Sequence, residues 1–353
     1  MYKWLLCGVM AMYGLGTPGQ AFAKDAGHDA GQGVQVKADE AQRRVDVTID
    51  GKPFTSYIWP ETLKKPVLFP LIAADGVTVT RGYPLAPRDG ERVDHPHHAG
   101  MWFNYGNVNG FDFWNNSDAI KAENREKMGS IYQQKVISTK SGRNRGELVV
   151  DSVWVTGKNH KIINETTHYI FSQHGDERTI DFITTLHALD KAVFNDDKEG
   201  VLGIRVAHFL ESATEKGGIF ADASGRPTKV AAGNTAGATG VYLTSEGTKG
   251  DAVWSTRGRW CELTGTTPDG KTETVAIIDN PKNPGYPTYW HARGYGLFAA
   301  NPLGRKIFDK TQPAFNFTID KGQSATFRYR VILFSHAATP EEMNKAADEF
   351  AAE

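Results

Sequence analysis

Cysteine is almost absent: the 353 residues hold two, Cys7 and Cys261. Cys7 falls in "MYKWLLCGVMAMYGLGTPGQAFA", where Lys3 precedes an apolar stretch and the small residues of "AFA" offer a cleavage site. This is the layout of a secretory signal peptide over residues 1–23, too short to be a membrane span. The residues before Cys7 are not the small ones that precede a lipidated cysteine. With the leader removed, Cys261 stands alone, no intramolecular disulfide can form, and the core must hold the fold. Residues 24–33, "KDAGHDAGQG", read as a flexible lead-in. The expected location is the periplasm or outside the cell.

An excess of either charge is also missing. Forty Lys and Arg face 41 Asp and Glu, for a net charge of −1. Without a basic block, nucleic acid is not the expected partner. No later apolar run reaches the ~18 residues of a membrane helix, so no insertion is expected after cleavage. There is no G-x-S-x-G, no P-loop, no dinucleotide fingerprint and no H-E-x-x-H. Nucleotide and nicotinamide chemistry are thereby disfavoured, and no cofactor is expected.

What is present is strand after strand. Val45, Val47 and Ile49 alternate with polar residues, as do Ile180, Phe182 and Leu186, and Phe327, Tyr329, Val331 and Leu333. Further strands are expected over 53–59, 67–72, 131–138, 147–156, 162–172, 201–211, 253–264, 274–279, 296–300 and 314–319. A long loop or insertion is expected over 213–250. Helix is expected only over 340–351, where Thr339, Pro340 and Glu342 spell a capping box and Met343, Ala346, Ala347 and Phe350 form a stripe. The fold class is all-β: a large antiparallel two-sheet sandwich over 34–353, of the size of a mutarotase-like supersandwich, closed by a short helix.

Three stretches offer chemistry. "VDHPHHAGMWF" brings Asp94, His95, His97, His98 and Trp102 together. Extended, it would turn His95 and His97 one way and Asp94 and His98 the other. Neutral imidazoles beside a carboxylate suit acid–base work; His95 and His97 as metal ligands are the weaker alternative, because H-x-H supplies too few donors. "YWHARGYG" offers Trp290 and Tyr295 as ring platforms, His291 as acid or base, and Arg293 as a forked donor. "VLGIRVAHFLES" puts Arg205 among small residues that leave room for a ligand, with His208 on the core face and Glu211 at the rim; Glu199 lies just upstream. Arg81, in "TRGYP", could bind an anionic group.

"TRGYP", "DHPHHAGMWF", "VNGFDFW", "GIRV" and "PTYWHARGYGLFAANPLG" together resemble the bacterial domain-of-unknown-function family labelled PmoA-like, from about Val45 to Leu333. A methane monooxygenase subunit is threaded through a membrane, and no run here could span one after the leader. The resemblance implies company in glycan and sugar degradation, and a shared pocket of Arg81, Asp94, His97, His98, Trp102, Arg205, His291 and Arg293.

The expected function is a secreted carbohydrate-active enzyme, a hydrolase or a lyase or hydratase. His97, His98, Asp94 and His291 would do the acid–base chemistry. Arg81, Trp102, Glu199, Arg205, Trp290, Arg293 and Tyr295 would bind a sugar or an oxidised sugar derivative. The alternative is a glycan-binding protein without catalysis, and a metalloprotein stands third.

Overall fold

In the computed structural model, which describes residues 32–214, 217–231 and 236–353, two eight-stranded antiparallel sheets pack face to face. The leader and residues 24–31 of the lead-in lie outside the described residues. The first sheet runs, edge to edge, Val34–Asp39, Arg44–Ile49, Lys52–Ile58, Val67–Leu68, Met101–Tyr105, Gly200–Arg205, Leu297–Asn301 and Tyr289–Arg293. The second runs Val241–Thr244, Trp260–Thr266, Thr272–Asp279, Ser324–Phe334, Glu177–Ala188, Lys161–His174, Arg145–Thr156 and Gly129–Lys140. Gly31–Glu353 forms one compact unit. No helix among the described residues is long and apolar enough to cross a membrane.

Period-two alternation builds both sheets. Val45, Val47 and Ile49 are buried while Arg44, Asp46 and Thr48 face outward. From the opposite sheet Phe327, Tyr329, Val331 and Leu333 enter the same core, with Ile180, Phe182 and Leu186 beside them. The outer face of the second sheet carries Trp260, Ala276, Ile278, Ile332 and Phe334, and α1 (Pro340–Ala352), the single α-helix among the described residues, covers them with Met343, Ala347 and Phe350. Its capping box is formed: the Glu342 N–H donates to the Thr339 hydroxyl, and the Thr339 N–H donates to the Glu342 carboxylate at 2.7 Å.

Three sequence expectations need correction. The strand expected over 201–211 stops at Arg205; the chain then turns through a short 3-10 helix, His208–Leu210. His208 is therefore not a core residue; it bonds to Glu211, which is itself buried rather than at a rim. The 213–250 stretch is not one loop, since Gly218–Ala221 pairs with Pro227–Val230 and Val241–Thr244 joins the second sheet. Residues 253–259 precede their strand, which starts at Trp260.

Candidate functional site

Alternation decides which residues of the first sheet face away from the core. Met101, Phe103, Leu202, Ile204, Phe298, Ala300, Trp290 and Ala292 face inward. Across the outer face, Trp102 stands opposite Gly203, Gly203 opposite Ala299, and Ala299 opposite His291. The neighbouring row is Arg205, Leu297 and Arg293. Trp290 is thus no sugar platform: it is fully buried between the sheets, 6.1 Å from Phe298. Nor does Gly203 leave space for a ligand above Arg205. A Cβ there would come within 2.6 Å of the Trp102 ring, so the glycine makes room for tryptophan.

The His-rich segment is a turn, not an extended strand. The His98 N–H donates to the His95 carbonyl at 2.9 Å, and His95 has φ +43°, in the left-handed region rather than the extended one that Pro96 suggested. Behind the turn, one oxygen of Asp94 accepts from Arg81 at 2.6 Å and from Arg205 at 2.7 Å. Arg81 also donates to the carbonyls of Arg92, His95 and His98. Both guanidiniums are buried, at 1% and 0% exposure, so neither is open to the substrate they were expected to bind. Burial works to raise the Asp94 pKa, but the His95 hydrogen bond and the Arg205 and Arg81 charges outweigh it and hold the group well below the usual carboxylate range. Asp94 is an ionised anchor for two arginines, not a proton donor.

His98 has no open nitrogen. The Trp114 indole N–H donates to Nε2 at 3.2 Å, and Arg205 lies 3.3 Å from Nδ1. Both neighbours are obligate donors, so the neutral ring accepts from one of them and turns its own N–H toward the other; burial first, then His97 and Arg205, disfavour the charged form. The acid–base role expected of it is not available in this geometry. Trp102, His98, His95 and Tyr295 instead form a ladder of near-parallel rings, with centroids 5.2, 4.9 and 5.2 Å apart. The ladder joins the two motifs that lie nearly 200 residues apart in sequence. It also covers Trp102, which is 2% exposed with the Lys65 ammonium 5.2 Å from its ring, so this ring too is closed to a sugar.

Two imidazoles keep lone pairs to use. His97 Nε2 is buried without a partner among the described residues. Burial, then Lys65, His95 and the two arginines, push its pKa down to about 2. Lys65 donates to the His97 carbonyl at 2.6 Å and is itself pushed down to about 7 by burial. His291 sits 2.9 Å through Nδ1 from the Lys198 carbonyl, which fixes the proton on Nδ1 and leaves Nε2 as an acceptor. Burial, with Lys198 and Arg293, lowers its pKa to about 3. Glu199 Oε2 lies 3.7 Å from the same Nδ1, and burial raises the pKa of this carboxyl against the opposing pull of Lys198.

The open part of the face is a cleft of about 450 Å³ lined by Asp94, Arg293 and Tyr295 together with Arg92, Ser212, Asp251 and Trp254. The Arg293 guanidinium lies 4.7 Å over Trp254 and 5.9 Å over Tyr295, and Trp254 meets His291 edge-on at 4.8 Å. Asp94, Arg293 and Tyr295 thus share one cleft, and His291 adjoins it. Lys65, Arg92, Ser212, Asp251 and Trp254 were not picked out in the sequence. Trp254 was hidden by the expectation of strand from 253, although an indole in a Gly- and Asp-bounded loop was the available signal. His95 and His97 have ring centroids 5.7 Å apart, and the described residues include no group of three or more His, Cys, Asp or Glu that could hold a metal.

Among solved structures, galactose 1-epimerase from Lactobacillus acidophilus is similar over 87% of this chain and 100% of that one, at 10% identity and TM-score 0.40. A galactose mutarotase-like protein from Clostridium acetobutylicum is similar over the same 87% and 100%, at 9% identity and TM-score 0.38. A GH36 alpha-galactosidase from Geobacillus stearothermophilus, 12% identical with TM-score 0.36, is matched over 86% of this chain and 41% of its own. Likenesses this low carry no argument about activity. No curated protein matches the chain. A family model does match, over residues 44–348, and it is described as a family of unknown function without any methane-oxygenase label. The chain belongs to that family, DUF6807.

Proposed function

We propose that this chain is an exported carbohydrate-active enzyme, a lyase or hydratase ahead of a hydrolase, acting on a sugar or oxidised sugar derivative by acid–base chemistry. The observation that carries the reading is the His291–Glu199 pair beside an open cleft walled by Trp254, Tyr295 and Arg293. Flat aromatic faces and a forked cation are what a sugar ring with a polar substituent requires. Asp94, held ionised, is unsuited to be the acid of a two-carboxylate hydrolysis. Glu199, whose pKa burial raises, is the member of the pair suited to take and return a proton, and His291, held neutral with Nε2 unprotonated, offers an acceptor that can orient a sugar hydroxyl.

The test is proton exchange. Ketosugars and unsaturated sugars would be incubated with the protein in D2O and followed by NMR. Wild type is expected to incorporate deuterium next to the carbonyl, or to add water. Glu199→Gln and His291→Asn should slow this at least 100-fold while sugar binding persists. One observation favours a second reading, glycan binding without catalysis: His97, His98 and His291 are all held neutral, while Trp254 and Tyr295 stay partly open. Wild type that binds sugars yet neither exchanges nor converts any of them would decide for that reading.

A further inference from the structure

Arg81, Arg205, Arg92 and Arg293 all stand about the cleft, and their charges are not equally committed. Arg81 and Arg205 converge on Asp94. Arg92 gives its Nε to Glu211 at 2.9 Å, which leaves Nη1 and Nη2 without a protein partner among the described residues. Glu211 must also serve His208, whose two ring nitrogens lie 3.2 Å from acceptors, the Glu211 carboxylate and the Ala236 carbonyl. Only an imidazolium donates to both, so one carboxylate stands between two cations. Arg293 has no carboxylate partner at all among the described residues; its fork is held by stacking on Trp254 and Tyr295. Ser212 lines the same cleft as Arg92 and Arg293, and its hydroxyl is buried without a partner among the described residues.

We propose that the corner formed by Arg92, Ser212 and Arg293 is a carboxylate clamp, and that the sugar taken by the cleft is an acidic one, a uronate or an aldonate. This rests on the sugar reading above and adds the substituent that would be recognised. Arg92 is rigid before any ligand arrives: Glu211 holds one edge, and Phe220 lies 4.8 Å beneath its plane. Gly218 lets it lie there, since a Cβ at that position would come within 2.7 Å of Nη1. Arg293 is held over two rings. A carboxylate placed between them would use N–H groups that have no other acceptor and would complete the hydrogen bonding of the Ser212 hydroxyl. The carboxylates Asp94 and Asp251, also on the cleft wall, are left to accept from sugar hydroxyls.

Ligand-observed NMR and calorimetry on the whole chain test this, with D-glucuronate, D-galacturonate and D-gluconate set against D-glucuronamide, D-glucose and D-galactose. One or more of the acids should bind, and the amide and neutral sugars should bind at least 10-fold more weakly. Arg293→Gln should weaken the acid by roughly 10- to 100-fold and neutral sugars by far less, so that the preference for the acid is lost. Arg293→Lys, which keeps the charge and loses the fork, should fall between. Because Arg293 is exposed, both variants should melt as wild type does. If acid, amide and neutral sugar bind alike, or Arg293→Gln keeps its affinity for the acid, the clamp is wrong while the sugar reading stands. If no sugar of either kind binds, both fall together.

Discussion

At the scale of single residues, the imidazoles of this face are defined by what they refuse. His291 is held neutral in the fold, with its pKa lowered to about 3, whereas in an unfolded chain it takes up a proton near pH 6.5. The unfolded state therefore binds more protons below that pH, and the contribution of His291 to stability is whole above about 6.5 and lost as the pH falls toward 3. Buried Glu262, Asp279 and Glu273, pushed up by burial to about 7, 7 and 8, run the other way, so the total pH profile does not isolate one group. The difference between wild type and His291→Gln does. Urea unfolding should show wild type losing about 1.6 kcal/mol more than the variant between pH 6.5 and 5, the slope rising toward about 1.4 kcal/mol per pH unit as the unfolded imidazole becomes fully protonated. Equal losses in the two proteins would mean that His291 titrates in the fold as it does in the unfolded chain.

At the scale of elements, the sequence disclosed most where alternation was long and regular. The Arg44–Ile49, Glu177–Ala188 and Ser324–Phe334 strands, and α1 with its capping box, stand close to where the pattern put them. It disclosed least where one residue's parity carried the chemistry. Trp290 and His291 are adjacent, so one must face the core and the other the outer face, and the sequence does not say which. Gly203 reads from the sequence as room for a ligand, but that room is filled by Trp102, 101 positions away by its own number and beside it only through strand pairing. Gly203→Ala should push that ring from its place under His98 and destabilise the protein by roughly 1–3 kcal/mol. The near-UV circular dichroism of the tryptophans should change with it. An alanine variant with wild-type spectrum and stability would show that the strand can yield there.

At the scale of the whole molecule, stability rests on one large sandwich core without a cross-link among the described residues. Cys261 is its only described cysteine, wholly buried in the Trp260–Thr266 strand, and burial pushes its thiol well above the ordinary pKa. A thiol so placed should resist a disulfide reagent in the native protein and react once the sandwich opens. In a chain lacking the leader, thiol labelling along a urea gradient should track loss of tryptophan fluorescence within experimental error. Labelling well ahead of the fluorescence change would reveal that the Val241–Thr244 edge peels away first. The all-β class was legible because strand periodicity survives at any range. The gathering of Arg92, Ser212 and Trp254 was not, since each sits in irregular backbone and meets its neighbours only after both sheets have closed.

The ladder of rings from Trp102 to Tyr295 has a consequence for how the protein could diversify. Its first rung, Trp102, is tied to strand register, whereas its last rung, Tyr295, with Arg205 4.9 Å over its ring, lies in the turn between Tyr289–Arg293 and Leu297–Asn301 and faces the cleft. Mutational tolerance should therefore rise step by step along the stack, lowest at Trp102 and highest at Tyr295 and the facing loop that carries Trp254. New ligand preferences would be drawn from that free end, while the histidines beneath stay as they are.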